Sequence, residues 1–367
     1  MWSYRELILP VTADRIVSRP EGNTPLYHHR RLSSWAGLDT LYLKHEGENP
    51  TGSFKDRGMT VGVTQARLLG ARAVACASTG NTSASLAAYA ALAEIPAIVF
   101  IPTGKIAAGK LAQALAYGAR TLQVDGDFDD AMRLVRRVCD ELNVYLLNSL
   151  NPFRLEGQKS IAFEIVQGFR WQPPDWIVLP AGNLGNTAAF GKALYELQQL
   201  GLIDRAPRVA AVQAAGANPF YQSFQGGFRE RVAVQAETIA TAIRIGAPVS
   251  YERAIRAIGW TDGLVTQVSD AEIMDAKAMV DGVGIGCEPA SAASVAGVRK
   301  LVAEGTIRPD QTVVAVLTGN LLKDPSATVA YHTGEWSEAA YANPPVRVAA
   351  EIEAVRKVIE DMADGGL

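Results

Sequence analysis

Short apolar runs alternate with alanine-rich stretches from about residue 60 onward. In the first half of the chain these runs are "AVACAS" (73–78), "AIVFIP" (97–102), "TLQVD" (121–125) and "VYLLNS" (144–149). Segments of helical composition separate them, at 85–94, 109–118 and 129–142. Because strands that alternate with helices form parallel sheets covered by helices, these residues predict one small α/β unit.

A second set of strands follows the first. Its apolar runs lie at 176–182, 208–216 and 312–320, and two of the intervening helices lie at 187–201 and 290–305. The same alternation predicts a second sheet, so the fold class is α/β.

Two segments do not fit this alternation. Residues 217–265 are rich in Gly, Gln and Arg and have little periodicity, so the pattern assigns them no structure. Residues 347–362, which follow "NPP", have the spacing of a terminal amphipathic helix.

Composition and charge exclude several classes of protein. The 367 residues are 48% hydrophobic and 20% charged, which is typical of a globular chain. A net charge of −3 without a run of basic residues makes nucleic acid an unexpected partner. The chain also lacks an apolar segment of about 18 residues and a signal-like start. We therefore expect a cytoplasmic protein that binds no membrane.

The cysteines and histidines do not have the spacing of a metal site. Cys76, Cys139 and Cys287 are odd in number and lie far apart, which indicates reduced thiols. The four histidines form no HExxH or similar pattern, so we expect no metal.

The first of three candidate loops is "STGNTSAS" (78–85), which follows a predicted strand. Ligands of parallel α/β sheets collect where strands end and helices begin. The side chains that suit a carboxylate ligand here are Ser78, Thr79, Asn81 and Thr82. The alternative is an ordinary helix N-cap, which uses the same residue types.

The other two loops follow strands of the second set. In "AGNLGN" (181–186), Gly182 and Gly185 let the backbone approach an anion, which predicts a phosphate cup. The loop has neither the dinucleotide fingerprint nor the P-loop spacing, and a tight structural turn is the alternative. In "LTGN" (317–320), Thr318 places a hydroxyl at a strand end, where a simple cap is the alternative.

One lysine stands behind a Pro-Thr-Gly turn in "NPTGSFKDRG" (49–58). Burial, or the neighbouring charge of Arg57, would lower the pKa of Lys55 and make its amine a nucleophile. The alternative is a surface lysine paired with Asp56.

Together these features match the demands of one cofactor and an amino-acid substrate. Pyridoxal phosphate needs an amine for its aldehyde, a cup for its phosphate and a partner for its ring nitrogen. An amino-acid substrate needs a site for its carboxylate. Lys55, the loop at 181–186, Thr318 and the loop at 78–85 supply one group for each demand.

Six motifs then resemble the threonine synthases among the fold-type II pyridoxal-phosphate enzymes. They are "NPTGSFKDRGM", "ACASTGNTSAS", "NSLNPFRLEGQKS", "LPAGNLGNTAAF", "GCEPASAA" and "LTGNLLKDP". They occur in order between about residues 20 and 326, so the resemblance covers most of the chain. It implies two open, twisted, mainly parallel sheets with the active site in the cleft between two domains.

The resemblance implies a cofactor role for each matching residue. Lys55 would join the aldehyde of pyridoxal 5'-phosphate and then move protons, with Phe54 near the ring. Asn81 would bind the phenolic oxygen, and Thr318 the pyridine nitrogen. The cofactor phosphate would lie among five residues: Gly182, Asn183, Leu184, Gly185 and Asn186.

The implied substrate is O-phospho-L-homoserine, and the implied reaction replaces its γ-phosphate to give L-threonine. Its carboxylate would bind the loop at 78–82. Its phosphate would bind Asn148, Ser149 and Arg154, where the alternative for Arg154 is an ion pair with Glu156 or Glu164. A homodimer is expected by the same analogy.

The implied domains are a large one (1–50 with 154–330), a smaller mobile one (51–153) and a C-terminal helical extension (331–367). Three other functions remain open. A threonine or serine dehydratase would share Lys55 and the phosphate cup, a non-catalytic binding protein would share the fold, and a Rossmann dehydrogenase is the most distant.

Overall fold

Two separate sheets form the framework of the molecule. The computed structural model describes residues 1–103, 108–126, 128–336 and 339–364, so residues 337–338 and 365–367 of the predicted C-terminal extension lie outside the described residues. The strands in this part of the chain are β1 (Leu26–His28), β2 (Leu41–His45), β3 (Ala73–Ala77), β4 (Ala97–Pro102), β5 (Arg120–Val124), β6 (Val144–Leu146), β7 (Trp176–Pro180), β8 (Arg208–Ala214), β9 (Leu264–Val268) and β10 (Val313–Leu317).

Helices connect and cover these strands. They are α1 (Arg5–Ile8), α2 (Arg30–Ala36), α3 (Lys55–Leu68), α4 (Asn81–Leu92), α5 (Ala108–Ala116), α6 (Phe128–Leu142), α7 (Pro152–Gly168), α8 (Gly185–Gln199), α9 (Pro219–Gln225), α10 (Tyr251–Trp260), α11 (Asp270–Asp281), α12 (Pro289–Ala303), α13 (Pro325–His332) and α14 (Ile352–Asp364). Among the described residues, no helix combines the length and the apolar character that crossing a bilayer requires.

The strand order confirms the predicted α/β class with two mainly parallel sheets. The larger sheet has the order β1-β2-β10-β7-β8-β9, and the smaller has the order β5-β4-β3-β6. Every pairing is parallel except that of β1 with β2. The predicted strands at 176–182, 208–216 and 312–320 do lie in one sheet, as β7, β8 and β10.

Three strands of the larger sheet were missed by the pattern. β1 is short, β2 contains a lysine and a histidine, and β9 begins at the end of the segment without periodicity. That segment, 217–265, contains α9 and α10. The predicted terminal helix exists as α14, which begins at Ile352 rather than at residue 347.

Alternate residues of the central strands face opposite layers of helices. Trp176 and Val178 of β7 pack into one apolar cluster, whereas Ile177 and Leu179 pack into a second cluster on the other face. The whole of β7 is buried, as are β3 and β10. Strands buried on both faces appear in a sequence as continuous apolar runs, and this explains why the pattern found them.

The smaller sheet reaches the larger one through the crossing of α3 and α7. Gly157 of α7 lies directly against the backbone of Arg57 in α3, and an added Cβ would lie 2.8 Å from its carbonyl carbon. The predicted domain division between residues 153 and 154 falls in the first turn of α7. Because α3 and α7 approach this closely at Gly157, the helix that carries Lys55 packs tightly against α7.

Arg57 is locked into this crossing by two buried carboxylates. Its Nε donates to Glu46 at 2.6 Å and its Nη1 to Glu164 at 2.6 Å, and the Arg57 and Glu46 side chains are fully buried. Burial alone would raise the pKa of Glu164, but the hydrogen bonds and charge of Arg57 outweigh burial and lower it. Breaking such a buried pair leaves an uncompensated charge, which is strongly destabilising.

Gly157→Ala should destabilise the protein by about 1–3 kcal/mol, because the new methyl overlaps the Arg57 carbonyl and separates α3 from α7. Urea unfolding measures the change. Gly259→Ala is the matched control, since a Cβ at that position of α10 meets no atom within 4 Å. There the substitution should be neutral or stabilising by up to about 1 kcal/mol. Equal free energies of unfolding for the two variants would contradict the close packing.

Candidate functional site

The carboxyl ends of both sheets meet at one cleft. β7 and β10 are neighbours in the larger sheet, and β3 and β6 are neighbours in the smaller one. The loops that follow these four strands contain the residues that the sequence predicts as binding groups. Contacts across the cleft include Asn183 Nδ2, which donates to Ser149 Oγ at 2.9 Å, and Asn81 Nδ2, which lies 3.1 Å from a carboxylate oxygen of Glu288.

The turn before Lys55 is held against the end of β10. Ser53 forms an antiparallel bridge with Gly319, and Phe54 N donates to Thr318 O at 3.0 Å. Asn320 N donates to Gly52 O at 2.9 Å. These bonds bring Lys55, the first residue of α3, next to Thr318, although more than 260 residues separate the two in the sequence.

Lys55 is an activated amine. Burial lowers the pKa of Lys55 to about 7, and the charge of Arg154 adds to this lowering while Glu288 opposes it. Its Nζ lies 4.1 Å from the centre of the Phe54 ring. At neutral pH a large share of this amine is therefore unprotonated, and only that form is nucleophilic.

Two sequence interpretations of this lysine are wrong. Asp56 does not pair with Lys55; it accepts hydrogen bonds from Thr51 N at 2.7 Å and Ser85 Oγ at 2.5 Å. Nor does Arg57 lower the pKa of Lys55, because the Arg57 charge is taken up by Glu46 and Glu164. The cation that acts on Lys55 is Arg154.

The loop at 78–82 leads into an α4 helix without a side-chain cap. Gly80 is the N-cap residue, and Ser78 Oγ accepts from Gly80 N at 3.1 Å within the loop. The N-cap alternative is therefore wrong. Thr79, Asn81 and Thr82 are partly accessible. An uncapped N-terminus of a 12-residue helix, together with these donors, suits an anion such as a carboxylate.

Asn148 holds this loop through the backbone. Its Oδ1 accepts from Ala77 N at 2.9 Å, and its Nδ2 donates to Ala77 O at 3.0 Å. The side chain thus extends the pairing of β3 with β6 by one residue. It fixes the last residue of β3, from which the loop departs.

The loop at 181–186 forms a cup at the start of α8. Leu184 has a φ of +63°, which turns the chain sharply into the helix. Asn183 Oδ1 accepts from Val249 N at 2.8 Å, and Asn183 O accepts from Ser250 N at 3.2 Å. Gly182 is required by its packing, because a Cβ would lie 2.8 Å from Ile243 Cα.

Unsatisfied buried polar atoms surround this cup. Within the described part of the chain, these atoms have no hydrogen-bond partner: both amide atoms of Asn186, Thr187 Oγ1, Ser250 Oγ and Gln158 Oε1. Buried polar atoms rarely remain unpaired in a folded protein. The donors among them are the amide nitrogen of Asn186 and the hydroxyls of Thr187 and Ser250. These donors beside the start of α8 fit a phosphate group, and the residues present therefore fit the phosphate of pyridoxal phosphate.

Thr318 directly follows β10 and is buried. Its Oγ1 lies 3.1 Å from Ser291 Oγ, and Ser291 Oγ accepts from Gly319 N at 2.8 Å. This network fixes two neutral hydroxyls beside the turn that precedes Lys55. A neutral hydroxyl at this point suits an unprotonated ring nitrogen.

Arg154 is a buried guanidinium without a carboxylate partner in the described residues. It donates to Leu147 O at 2.8 Å, and its Nε has no partner there. Burial lowers the pKa of Arg154 to about 10. The predicted alternative, an ion pair with Glu156 or Glu164, is wrong, because those carboxylates pair with other residues: Lys159, Lys192, Arg57 and Lys44. A buried, unpaired guanidinium is a site for an anion.

A cavity of about 610 Å³ opens beside the uncapped end of α4. Its lining includes Asn49, Thr51, Gly80, Asn81 and Lys323. The volume lies in the range of small-molecule sites. Access to the loop at 78–82 is therefore possible from this side of the cleft.

Sequence reasoning assigned no role in the site to four polar residues of this region. Gln158 lies inside a quoted motif but in the middle of α7, and Ser250 lies in the segment without periodicity. Ser291 and Glu288 belong to "GCEPASAA", where a helix start gives no sign that the side chains reach the cleft. Only the fold brings them to the site.

Comparisons with known proteins agree with this geometry. The model of the family described as pyridoxal-phosphate dependent enzyme matches residues 17–319. The threonine synthase of Methanocaldococcus jannaschii is 46% identical over 364 residues, which cover 99% of this chain and 87% of that protein. The threonine synthase of Methanosarcina acetivorans is 49% identical, with 98% and 86% covered.

Solved structures show the same fold at low sequence identity. The processed form of threonine deaminase isoform 2 from Solanum lycopersicum has a TM-score of 0.72 at 22% identity, covering 87% of this chain and 89% of that one. Maize serine racemase has a TM-score of 0.71 at 22% identity, covering 82% and 88%. The family model and the extent of identity to the curated relatives lead to one assignment: the chain belongs to the threonine synthase family of pyridoxal-phosphate dependent enzymes.

Proposed function

We propose that this chain converts O-phospho-L-homoserine and water to L-threonine and phosphate, as a pyridoxal-phosphate dependent lyase. The observation that supports this most strongly is the buried guanidinium of Arg154, which has no carboxylate partner among the described residues and lowers the pKa of the Lys55 amine. A substrate with a phosphate at its γ-carbon supplies the anion that Arg154 lacks. Family membership supports the same reaction.

The cofactor would be held at three points of the cleft. Its phosphate would accept hydrogen bonds from the start of α8 and from the side chains that lack partners there. Lys55 would reach its aldehyde beside Phe54, Asn81 its phenolic oxygen and Thr318 its ring nitrogen. When bound, pyridoxal phosphate supplies an electron sink for the substrate's α-carbon. The cup comprises Gly182, Asn183, Leu184, Gly185 and Asn186.

The substrate would bind through its two anionic ends. The start of α4 would hold the carboxylate with these residues: Ser78, Thr79, Asn81 and Thr82. Arg154 and Ser149 would hold the phosphate, and Asn148 would fix the loop between the two ends through its bonds to Ala77. This arrangement would orient the substrate with its reacting carbons beside Lys55.

Lys55 would move the protons of the reaction. Because its pKa is about 7, the amine can both accept and return a proton near neutral pH. Arg154, which lowers this pKa, would also grip the departing phosphate. The same cation would thus bind the leaving group and keep the amine ready to accept a proton.

A threonine or serine dehydratase is the alternative within the fold. Such an enzyme would also need Lys55, Thr318 and the cup, and threonine deaminase and serine racemase structures share this architecture. Its substrates carry no phosphate, so a buried guanidinium without a carboxylate partner would be left uncompensated. Arg154 therefore favours the phosphorylated substrate.

We further propose that residues 51–153 form a smaller mobile domain that closes over the substrate against residues 1–50 and 154–330. Within the described residues the strands of the smaller sheet pair with one another and not with the larger sheet, which supports such a motion, while Arg57 keeps α3 anchored to α7. We also propose a cytoplasmic homodimer. Burial raises the pKa of Cys76 to about 12, which agrees with thiols that stay reduced.

The purified protein should release phosphate and L-threonine from O-phospho-L-homoserine in equal amounts. Lys55→Ala should abolish both products, because it removes the amine that would join the cofactor aldehyde and move the protons. Ammonia and 2-oxobutyrate released from threonine as the main reaction would instead establish the dehydratase. A protein that binds the cofactor and forms none of these products would exclude both enzymes.

Arg154→Met should lower kcat/KM for O-phospho-L-homoserine by about 100-fold or more, because truncating one partner of a buried charge pair costs roughly 2–5 kcal/mol. Arg154→Lys should recover only part of this loss, since lysine lacks the forked donors. Steady-state assays of phosphate release measure both. Arg356→Met on the exposed surface of α14 is the control and should be neutral. A loss below threefold in Arg154→Met would contradict the phosphate site.

The amine of Lys55 in the cofactor-free protein should titrate near pH 7, because burial and Arg154 lower its pKa. Competitive acylation over a pH series, with the Lys55 peptide quantified by mass spectrometry, measures the midpoint. Arg154→Met should move the midpoint upward, since one of the two lowering causes is removed. Lys357 on α14 serves as the exposed reference amine. A midpoint near about 10.4, the ordinary lysine value, would contradict the activated state.

A further inference from the structure

Glu288 is a buried carboxylate of the cleft to which neither the cofactor nor the substrate assignment gives a role. It precedes the first residue of α12, and its backbone N donates to Gly319 O at 3.0 Å. Its carboxylate packs against Gly319, so closely that a Cβ there would overlap it. Glu288 is therefore fixed between the start of α12 and the loop after Thr318.

The carboxylate of Glu288 determines how the Asn81 side chain is turned. Asn81 Nδ2 lies 3.2 Å and 3.1 Å from the two carboxylate oxygens. An ionised carboxylate only accepts hydrogen bonds, so the amide must face it with the NH₂ group and not with the carbonyl oxygen. The nitrogen and oxygen of an amide have nearly the same shape, so the hydrogen bond to the carboxylate is what assigns the orientation of the Asn81 amide.

One N–H of Asn81 remains for another acceptor. The two oxygens belong to one carboxylate and lie on the same side of Nδ2, so a single N–H serves both. The second N–H points away from Glu288. The charge of Glu288 opposes the lowering of the Lys55 pKa, so the two side chains lie near each other. The same region of the cleft therefore contains the amine that would meet the cofactor.

We propose that Glu288 is a positioning residue that holds the Asn81 carboxamide with its second N–H toward the phenolic oxygen of the cofactor. The proposal rests on the role proposed above for Asn81. A carboxylate at position 288 is needed for this, because a glutamine amide can present either an oxygen or an NH₂ group to Asn81. Glu288→Gln would therefore let the Asn81 amide turn over, with its carbonyl oxygen toward the phenolic oxygen.

A double-mutant cycle on the cofactor-free protein tests this. The ligand is 4-deoxypyridoxine 5'-phosphate, which keeps the phenol and the phosphate but has no aldehyde to react with Lys55. Dissociation constants are measured by fluorescence titration for four proteins: the unchanged chain, Glu288→Gln, Asn81→Ala and the double variant. The coupling between positions 81 and 288 isolates the effect that Glu288 exerts through Asn81, since direct charge effects cancel.

Glu288→Gln should weaken binding about three- to tenfold when Asn81 is present, which corresponds to one hydrogen bond. In the Asn81→Ala background, the same substitution should change affinity less than twofold. Equal losses in both backgrounds, or no loss with Asn81 present, would overturn the proposal. If Asn81→Ala alone leaves the affinity unchanged, Asn81 does not bind the phenolic oxygen. That result would contradict the role proposed for Asn81, whatever Glu288→Gln does, and the role of Glu288 with it.

Controls separate positioning from folding. Glu304→Gln, at the exposed end of α12, should leave the affinity unchanged. Thermal unfolding of each cofactor-free variant checks that the fold is intact. Should Glu288→Gln fail to fold, Glu288→Ala completes the same cycle, with coupling of the same sign expected because alanine has no acceptor to hold the Asn81 NH₂ group. A coupling of zero with that variant would equally overturn the proposal.

Discussion

The buried pairing of Arg57 with Glu46 and Glu164 is the constraint on which the site depends. Arg57 lies two residues after Lys55, so the geometry of its guanidinium fixes the first turn of α3. Glu46 follows β2 of the larger sheet, and Glu164 lies in α7. The helix that carries the reactive amine is therefore tied to two elements at once, and its first residue cannot shift without exposing a charge to an apolar interior.

This arrangement also separates the cations of the site by function. Arg57 is neutralised by its carboxylates and serves the fold, whereas Arg154, buried without a carboxylate partner in the described chain, lowers the pKa of Lys55. Both arginines belong to the same helix crossing, where Gly157 permits close approach. The fold therefore pairs the charge of Arg57 with carboxylates and leaves the charge of Arg154 in the cleft without one among the described residues.

The sequence predicts the parts of this molecule that are encoded locally. Continuous apolar runs such as β4 and β7 appear because both faces of those strands are buried, and the loops after β3, β7 and β10 follow from the strand ends. The strands β1, β2 and β9 could not be found, since tertiary pairing decides them. Adjacency in the sequence also gave wrong interpretations. Asp56 and Arg57 lie next to Lys55 in the sequence, yet Asp56 accepts from Thr51 and Arg57 pairs with Glu46. Ser250 and Glu288 reach the cleft only through the fold.

Asn183 joins the two ligand regions through a single side chain. Its oxygen accepts from Val249 beside the cup, and its nitrogen donates to Ser149 across the cleft. An anion that settles at the start of α8 will stiffen this amide and, through it, the turn that faces Arg154. By thermodynamic reciprocity, binding of the vitamin-derived group should raise the affinity for the amino acid, and binding of the amino acid should raise the affinity for that group. When the cup is empty, the substrate pocket should therefore be loosely organised.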